Sequence, residues 1–214
     1  MELNDLEKID SKNMFRIYDQ WPEIAKESFE KEFRVFESDD IDHVVFAGMG
    51  GSGTIGDTIG ALLSKKDIHV SNIKGYLLPK TVDDKTLVVV TSVSGNTSET
   101  ISILNNAKKT QAKIVSFSSG GKMEKICNDD RIFFEKIPII HSPRASYTNF
   151  LYSIMNILKP ILPIEDKDVY ESISQLEKTR NMIFSKNLNS ENKALELANF
   201  IRNIVCIYYP AGLQ

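Results

Sequence analysis

Residues 44–53 read Val-Val-Phe-Ala-Gly-Met-Gly-Gly-Ser-Gly, an apolar run followed at once by a glycine loop that carries one serine. A short apolar run rich in β-branched residues and bounded by glycine is typical of a strand that is buried on both faces. Helical periodicity follows directly at residues 55–63, so the stretch predicts a strand, a tight turn and a helix. This unit is the building block of a parallel α/β sheet.

The same arrangement recurs further along the chain. An apolar run at residues 86–91 leads into Ser92-Val-Ser-Gly-Asn-Thr97, and residues 99–110 carry helical periodicity. Hydroxyl groups and backbone N–H groups at a helix start favour an anion, because the positive end of the helix dipole lies there. Neither loop contains Arg or Lys, which predicts a grip on one phosphate ester rather than on a triphosphate with magnesium. The alternative is that Thr97 or Ser98 is a simple helix N-cap.

Further predicted elements extend this pattern along the chain. Because the strand runs are nearly continuous in apolar residues rather than alternating, the sheet is expected to be mostly parallel and covered on both faces. We therefore predict an α/β fold, a three-layer αβα sandwich with a mostly parallel, doubly wound sheet. The predicted strands are residues 44–47, 68–71 (weak), 86–91, 113–118 and 131–134, and the predicted helices between them are 55–63, 99–110 and 146–158.

Three regions follow from these patterns. Residues 1–40 are predicted to be an N-terminal helical arm, amphipathic and packed on the rest of the chain. Residues 41–163 are predicted to be the α/β domain, in which any ligand would bind at the carboxyl ends of the strands. Residues 164–214 are polar and helix-prone at first, which predicts a helical bridge that leads out of the domain.

The bridge has a distinct pattern at its end. Two helices are predicted at residues 166–184 and 190–202, the second of them capped by Ser190. An apolar run at residues 204–209 predicts one more buried strand. That strand either adds to the edge of the first sheet or begins a second α/β domain that the chain does not complete.

Composition excludes several classes of partner. The chain has 214 residues, of which 42% are hydrophobic and 26% charged, and its net charge is −3. The charges form no long run of one sign, so we expect no nucleic-acid partner and no membrane partner. Cys127 and Cys206 lie outside metal-binding and redox spacings and are expected to be reduced structural thiols. No apolar run approaches the roughly 20 residues of a membrane span, and we expect a cytoplasmic location.

The first glycine loop also satisfies the dinucleotide fingerprint G-x-G-x-x-G, with Gly48, Gly50 and Gly53 between a strand and a helix. That interpretation requires an acidic residue about 20 positions later. Residues 70–75 carry no carboxylate, and residues 48–54 lack the lysine that a nucleotide P-loop needs. The remaining alternatives are a phosphate site of another kind and a tight turn without a ligand.

A third candidate is the segment His-Ser-Pro-Arg-Ala-Ser at residues 141–146, just before an apolar helix. Arg144 could reach the crevice, where a guanidinium would stabilise negative charge on a sugar oxygen or an enediolate. The alternative is a surface arginine beside a helix start. His141 is a general base by residue type, although a solvated loop histidine is the commoner case.

With these loops in place, the chain resembles the sugar isomerase (SIS) domain, and within it the archaeal-type bifunctional phosphoglucose/phosphomannose isomerases. The resemblance implies an enzyme that interconverts glucose 6-phosphate or mannose 6-phosphate with fructose 6-phosphate through an enediol intermediate. It also implies that no metal and no organic cofactor is needed. It rests on four segments in register within residues 41–160: Gly48-Met-Gly-Gly-Ser-Gly53, Ser92-Val-Ser-Gly-Asn-Thr97 with Glu99-Thr100, Ser118-Ser-Gly-Gly121 and Pro143-Arg144-Ala-Ser146.

The resemblance also implies roles for individual residues. Arg144 would stabilise the enediol intermediate. We further expect Gly95 to let the backbone approach the phosphate closely, because glycine has no side chain to obstruct it. The residues that the resemblance places around the hexose 6-phosphate are Gly50, Gly51, Ser52, Ser92, Ser94 and Thr97.

The chain departs from the family in two ways. Members of the family have two SIS domains, and this chain is expected to be a shortened form that ends inside the second. The family's catalytic glutamate, its ring-opening histidine and a late lysine would lie in the missing portion, so no residue here is given those roles. Val93 also stands where the family commonly has an aromatic residue.

Two functional interpretations remain. The leading one is an isomerase of the phosphosugar class, and the alternative is a non-catalytic regulatory module that binds a sugar phosphate. In both cases we expect a weakly held homodimer, because an incomplete second domain leaves apolar surface exposed.

Overall fold

The computed structural model describes residues 3–202 and centres on a five-stranded sheet in which all paired strands are parallel. The strands lie in the order β2-β1-β3-β4-β5. The prediction of a mostly parallel, doubly wound α/β fold is confirmed. The strands are β1 His43–Ala47, β2 His69–Ile73, β3 Thr86–Ser92, β4 Lys113–Ser118 and β5 Phe133–Lys136.

Helices cover both faces of this sheet, because successive side chains along a strand point to opposite faces. Val44 and Phe46 pack with the helices α3, α4, α7 and α8, whereas Val45 and Ala47 pack with α5 and α6. The result is three layers. The helices of the described residues are α1 Leu3–Ile9, α2 Met14–Asp19, α3 Trp21–Glu30, α4 Gly51–Leu63, α5 Ser98–Ala107, α6 Gly121–Asp129, α7 Tyr147–Ile157, α8 Asp166–Ile183 and α9 Lys193–Ile201.

The strand order places a topological switch between β1 and β3. The helix that follows β1 buries Ile55 and Ile59 on one face of the sheet. The helix that follows β3 buries Ile103 and Leu104 on the other face. Because the two connections leave the sheet in opposite directions, a crevice opens at the carboxyl ends of β1 and β3.

The N-terminal arm is helical only as far as Glu30. The predicted helix is therefore wrong for residues 31–40, which form neither helix nor strand. The Phe36 N–H donates to the Ile157 carbonyl oxygen at 2.9 Å, and the Phe36 ring meets the Phe133 ring edge-on. Phe33 and Phe36 are partly buried against the core along an extended segment, whereas Val35 is exposed, so the spacing of these apolar residues does not mark a helical face.

Two elements after β4 differ from the predictions, β5 and the helix α6 that precedes it. The strand predicted from residue 131 begins at Phe133, because Arg131 has a φ of 55° in the left-handed region and belongs to the preceding turn. Helix α6 was not predicted from the sequence, since Met123 and Cys127 are its only buried residues. Burial raises the pKa of the Cys127 thiol, which accords with a structural thiol rather than a reactive one.

The last described helix begins later than predicted. Its cap is Asn192 rather than Ser190: the Asn192 side-chain oxygen accepts hydrogen bonds from the N–H groups of Ala194 and Leu195, each at 3.0 Å. These two N–H groups belong to the first turn of the helix, where no carbonyl of the helix can accept from them, so the Asn192 side chain takes that role. Ser190 is too far from the helix to do so.

The predicted strand at residues 204–209 lies outside the described residues, as does Cys206. The division of the chain at residues 41 and 164 stays a prediction. Among residues 3–202, no helix combines the length and the apolar character that crossing a membrane requires.

Candidate functional site

The loop after β1 turns sharply into α4. Two of its glycines are required because a larger residue would clash with the backbone of the loop. A Cβ at Gly48 would lie 2.7 Å from the carbonyl carbon of Ser52, and one at Gly53 would lie 2.7 Å from the Gly48 carbonyl oxygen. Gly50, the N-cap of α4, has a φ of 53°, which glycine adopts without strain. The glycine spacing therefore allows a strand and a helix to meet at close range.

The loop after β3 is held by its own hydroxyl groups. Ser92 Oγ accepts a hydrogen bond from the Gly95 N–H at 3.1 Å and lies 3.0 Å from Thr97 Oγ1. Thr97 is the N-cap residue of α5, yet its side chain makes no capping hydrogen bond. The interpretation of Thr97 as a simple capping side chain is therefore wrong. Without that cap, the first-turn N–H groups of α5 are open to an anion.

The loop after β4 is bonded to the loop after β3. The Met123 N–H donates to the Gly95 carbonyl oxygen at 2.9 Å, and the Lys122 N–H donates to Asn96 Oδ1 at 3.1 Å. These two donors belong to the first turn of α6, so the protein itself satisfies them. The N-terminus of α6 is therefore a joint between two loops rather than an open helix start.

The contact between these two loops requires a glycine at position 95. A Cβ at Gly95 would lie 1.7 Å from the Gly120 carbonyl oxygen, and Gly95 has a φ of 66°. Gly95 is also buried. The close approach that the structure shows at Gly95 is that of the Gly120 carbonyl, and Gly95 does not line the cleft described below; its approach to a phosphate stays a prediction.

A cleft of about 470 Å³ opens where the loops after β1 and β3 meet the start of α7. Five of the seven predicted site residues line it, and Gly50 and Ser92 do not. Ser92 is only 1% exposed and lies behind the cleft, where it holds Thr97. The lining residues are Trp21, Met49, Gly51, Ser52, Thr54, Val93, Ser94, Thr97, Pro143, Arg144 and Tyr147.

Arg144 brings a positive charge to this cleft. Its side chain is exposed, and among residues 3–202 its guanidinium has neither a hydrogen bond nor an ion pair. None of the lining residues just named is an Asp, a Glu or a His. The cleft of the described part of the chain can therefore bind an anion and stabilise negative charge, but it holds no carboxylate or imidazole that could act as a base.

His141 does not join the site. Its Nε2 lies 2.9 Å from the Lys12 carbonyl oxygen, and the residue is absent from the cleft wall. The geometry gives no support to His141 as a general base. Within residues 3–202, no cluster of three or more His, Cys, Asp or Glu side chains could hold a metal ion.

Several lining residues were not predicted. Met49 lies within the first glycine loop and Thr54 directly follows it, so taking every residue of that motif and one more after it would have found them. Trp21 had no such signal: it begins α3, and its indole N–H donates to the carbonyl of Ala145, 124 residues away, at 3.0 Å. The other unpredicted lining residues are Val93, Pro143 and Tyr147.

Comparison with known sequences finds one domain family and several relatives that share one name. The family model of the SIS domain matches residues 39–157. The bifunctional phosphoglucose/phosphomannose isomerase of Caldicellulosiruptor bescii is 33% identical over 203 residues, which cover 92% of this chain and 60% of that protein. The protein of the same name from Thermoplasma volcanium is 36% identical over 151 residues, 70% of this chain and 46% of that protein. The chain thus spans about half the length of these curated relatives.

A solved structure shows the same fold. The C-terminal domain of glucosamine-fructose-6-phosphate aminotransferase from Francisella tularensis superposes with a TM-score of 0.58 and 18% identity, over 88% of this chain and 56% of that one. The family match covers the sheet and the loops that form the cleft. The chain therefore belongs to the SIS-domain family and is related to the bifunctional phosphoglucose/phosphomannose isomerases.

Proposed function

We propose that this chain binds a hexose 6-phosphate and serves the interconversion of glucose 6-phosphate or mannose 6-phosphate with fructose 6-phosphate. The observation that carries the proposal is the cleft in which Ser52, Ser94, Thr97 and Arg144 meet beside the first turns of α4 and α5. The relationship to the phosphoglucose/phosphomannose isomerases supports the same class of substrate.

The phosphate group fits the part of the cleft next to the two helix starts. Each helix dipole favours an anion by about 0.3–1 kcal/mol at an exposed site. Ser52, Ser94 and Thr97 add hydroxyl groups, and a hydrogen bond to a charged group contributes about 1.5–3 kcal/mol. This arrangement suits a monoester, since it offers many donors and only one side-chain charge.

The isomerisation would move a proton between C2 and C1. A base takes the C2 proton of the aldose, the C–H electron pair becomes the C1–C2 double bond, and O1 of the enediolate carries the negative charge. The O2 hydroxyl proton passes to O1, and the base returns its proton to C1 to give the ketose. Arg144 suits the stabilisation of the enediolate oxygen, because a guanidinium keeps its proton and this one has no described partner to neutralise it. The base and the ring-opening acid are not assigned to any described residue.

A second candidate function is a regulatory module that binds a sugar phosphate without turning it over. The observation that favours it is the cleft wall, which in the described part of the chain holds no carboxylate and no imidazole. Binding and turnover therefore have to be measured separately.

The first experiment is a calorimetric titration of the 214-residue chain with fructose 6-phosphate, alongside a coupled assay for glucose 6-phosphate and for mannose 6-phosphate. We expect saturable binding that the double variant Ser94→Ala, Thr97→Ala abolishes, because both hydroxyls line the cleft. The control is Ser102→Ala, which removes a hydroxyl from α5 outside the cleft. Turnover supports the isomerase, and saturable binding without turnover supports the regulatory module. No binding, or equal binding by the double variant, contradicts both.

We also propose that the chain forms a weakly held homodimer. Leu197 and Phe200 on α9 are 59% and 72% exposed, and large exposed apolar side chains on one helix favour association. Light scattering over a range of concentrations should show the mass rising from one chain towards two. A constant monomer mass would contradict this.

A further inference from the structure

Trp21 connects the N-terminal arm to the cleft. It is the first residue of α3, and its indole N–H donates to the Ala145 carbonyl oxygen at 3.0 Å. Ala145 directly follows Arg144 and is fully buried. The arm therefore makes a specific hydrogen bond to the backbone that carries the cleft's exposed guanidinium.

The Trp21 ring is also fixed from two other directions. The Tyr18 ring meets it edge-on with centroids 4.8 Å apart, and the Tyr147 ring lies 6.2 Å away. The Tyr147 hydroxyl is in turn 2.9 Å from Thr58 Oγ1 on α4. Trp21 thus belongs to a chain of contacts that runs from the arm to the helix behind the first glycine loop.

The Arg144 side chain depends on its backbone for its position. Within the described residues no side chain holds the guanidinium, whereas its neighbours on the C-terminal side are well held. Ser146 Oγ accepts from the Ile140 N–H at 2.8 Å and lies 2.8 Å from the Ser142 carbonyl oxygen. At Ala145 itself, the N–H donates to Ser142 Oγ at 3.4 Å and the carbonyl oxygen accepts from Trp21.

We propose that Trp21 is a positioning residue for Arg144 and forms the wall that contacts the sugar portion of the ligand. This inference rests on the proposed function. The phosphate takes the space next to α4 and α5, and a cleft of about 470 Å³ is larger than a phosphate group requires. The sugar then extends along the walls that are not glycine loops, which are formed by Trp21, Pro143 and Tyr147. A rigid aromatic ring is suited to such a wall.

The test separates the sugar from the phosphate. Trp21→Phe keeps an aromatic ring and removes the N–H donor, and its control Tyr152→Phe removes a hydroxyl that bonds Ser172 away from the cleft. Each protein is titrated with fructose 6-phosphate and with inorganic phosphate. We expect Trp21→Phe to weaken fructose 6-phosphate binding about three- to tenfold, the effect of one hydrogen bond, and to leave phosphate affinity within about twofold. Tyr152→Phe should leave both affinities unchanged.

A spectroscopic readout adds an independent measurement, because Trp21 is the only tryptophan of the chain. Its emission should change on titration with fructose 6-phosphate, with the midpoint that calorimetry gives. An unchanged emission, equal binding by Trp21→Phe, or an equal loss of phosphate and sugar phosphate would each overturn the assignment of Trp21. Failure of the wild-type chain to bind fructose 6-phosphate is a different result: it overturns the proposed function, and the Trp21 assignment with it.

Discussion

The loops after β3 and β4 are similar in sequence, and the structure uses them differently. One reads Ser92-Val-Ser-Gly-Asn-Thr97 and the other Ser118-Ser-Gly-Gly121, and each opens a helix. The start of α6 is bonded to the neighbouring loop through Gly95 and Asn96, whereas the start of α5 lies on the cleft and lacks a side-chain cap from Thr97.

The difference teaches that donors and acceptors, rather than composition, decide which helix start can take an anion. The β4 side donates its N–H groups, and the β3 side contributes a carbonyl and an amide oxygen. Those bonds consume acceptors of the β3 loop and leave the donors at the start of α5 unused. Unused donors at a helix N-terminus are what an anion requires. The β4 loop therefore prepares the site without belonging to it.

The most severe way to break this arrangement is Gly95→Ala. The new methyl group would lie 1.7 Å from the Gly120 carbonyl oxygen, on backbone with a φ of 66°. We expect a loss of about 4 kcal/mol or more in the free energy of unfolding, measured by urea denaturation, because both loops must move. Gly51→Ala is the control, since a Cβ there meets nothing within 4 Å. Equal stability of the two variants would show that the loops are not tightly joined.

A second pair of variants sharpens the comparison. Ser92 Oγ and Ser118 Oγ are both buried and accept a backbone N–H, that of Gly95 and that of Gly120 respectively. Replacing either serine by alanine should cost about 1–3 kcal/mol of stability, because a buried donor loses its partner. Only Ser92→Ala also releases Thr97, so it alone should weaken fructose 6-phosphate binding, about five- to tenfold by calorimetry. An equal loss of affinity in Ser118→Ala would contradict the division of roles between the loops.

The smallest effect is expected far from both loops, at the amino end of β1. His43 is buried, its Nε2 lies 3.0 Å from Ser71 Oγ, and its ring is 4.7 Å from that of His69. Burial, and then the neighbouring His69, lower the pKa of His43 from its ordinary value of 6.5, against the opposing effect of Asp83 and Asp42. The folded state therefore keeps this imidazole neutral to a lower pH than the unfolded chain does.

The lowered pKa of His43 makes the folded state less stable as the pH falls. As the pH falls below 6.5, the unfolded chain takes up a proton on His43 before the folded chain does. This contribution to stability is complete above that pH and is lost as the pH falls through the folded pKa. Urea denaturation between pH 7.5 and 5 should show the fall, and His43→Gln should reduce it. His141→Gln, at an exposed loop position, should leave it unchanged. A His43→Gln chain with the full pH dependence would show that other groups are responsible.

Much of the fold was predictable because it depends on local patterns. The continuous apolar runs of β1, β3 and β4 identified buried parallel strands, and their ends were nearly correct. The helix predicted over residues 31–40 was wrong, because the apolar residues there are spaced as in a helix but contact the core from an extended segment, as Phe36 does with Phe133. Helix α6 was missed because it buries too few side chains to show a period.

The candidate site was predictable in its loops and not in its walls. Ser94 and Thr97 are close in sequence, and the polarity of a parallel sheet brings such loops to one edge. Trp21 and Ala145 are 124 residues apart, and no period or motif links them. The buried place of Ser92, behind the hydroxyl that lines the cleft, also needed the packed structure.

The sequence by itself determined the parallel α/β fold and the edge of the sheet where the loops meet, because strand burial and glycine turns are local properties. Only the tertiary structure decided which helix start stays open, which hydroxyl faces the cleft and which arm residue supports Arg144. Those outcomes depend on contacts between segments that are distant in the chain, and hydrogen bonds there are settled by packing.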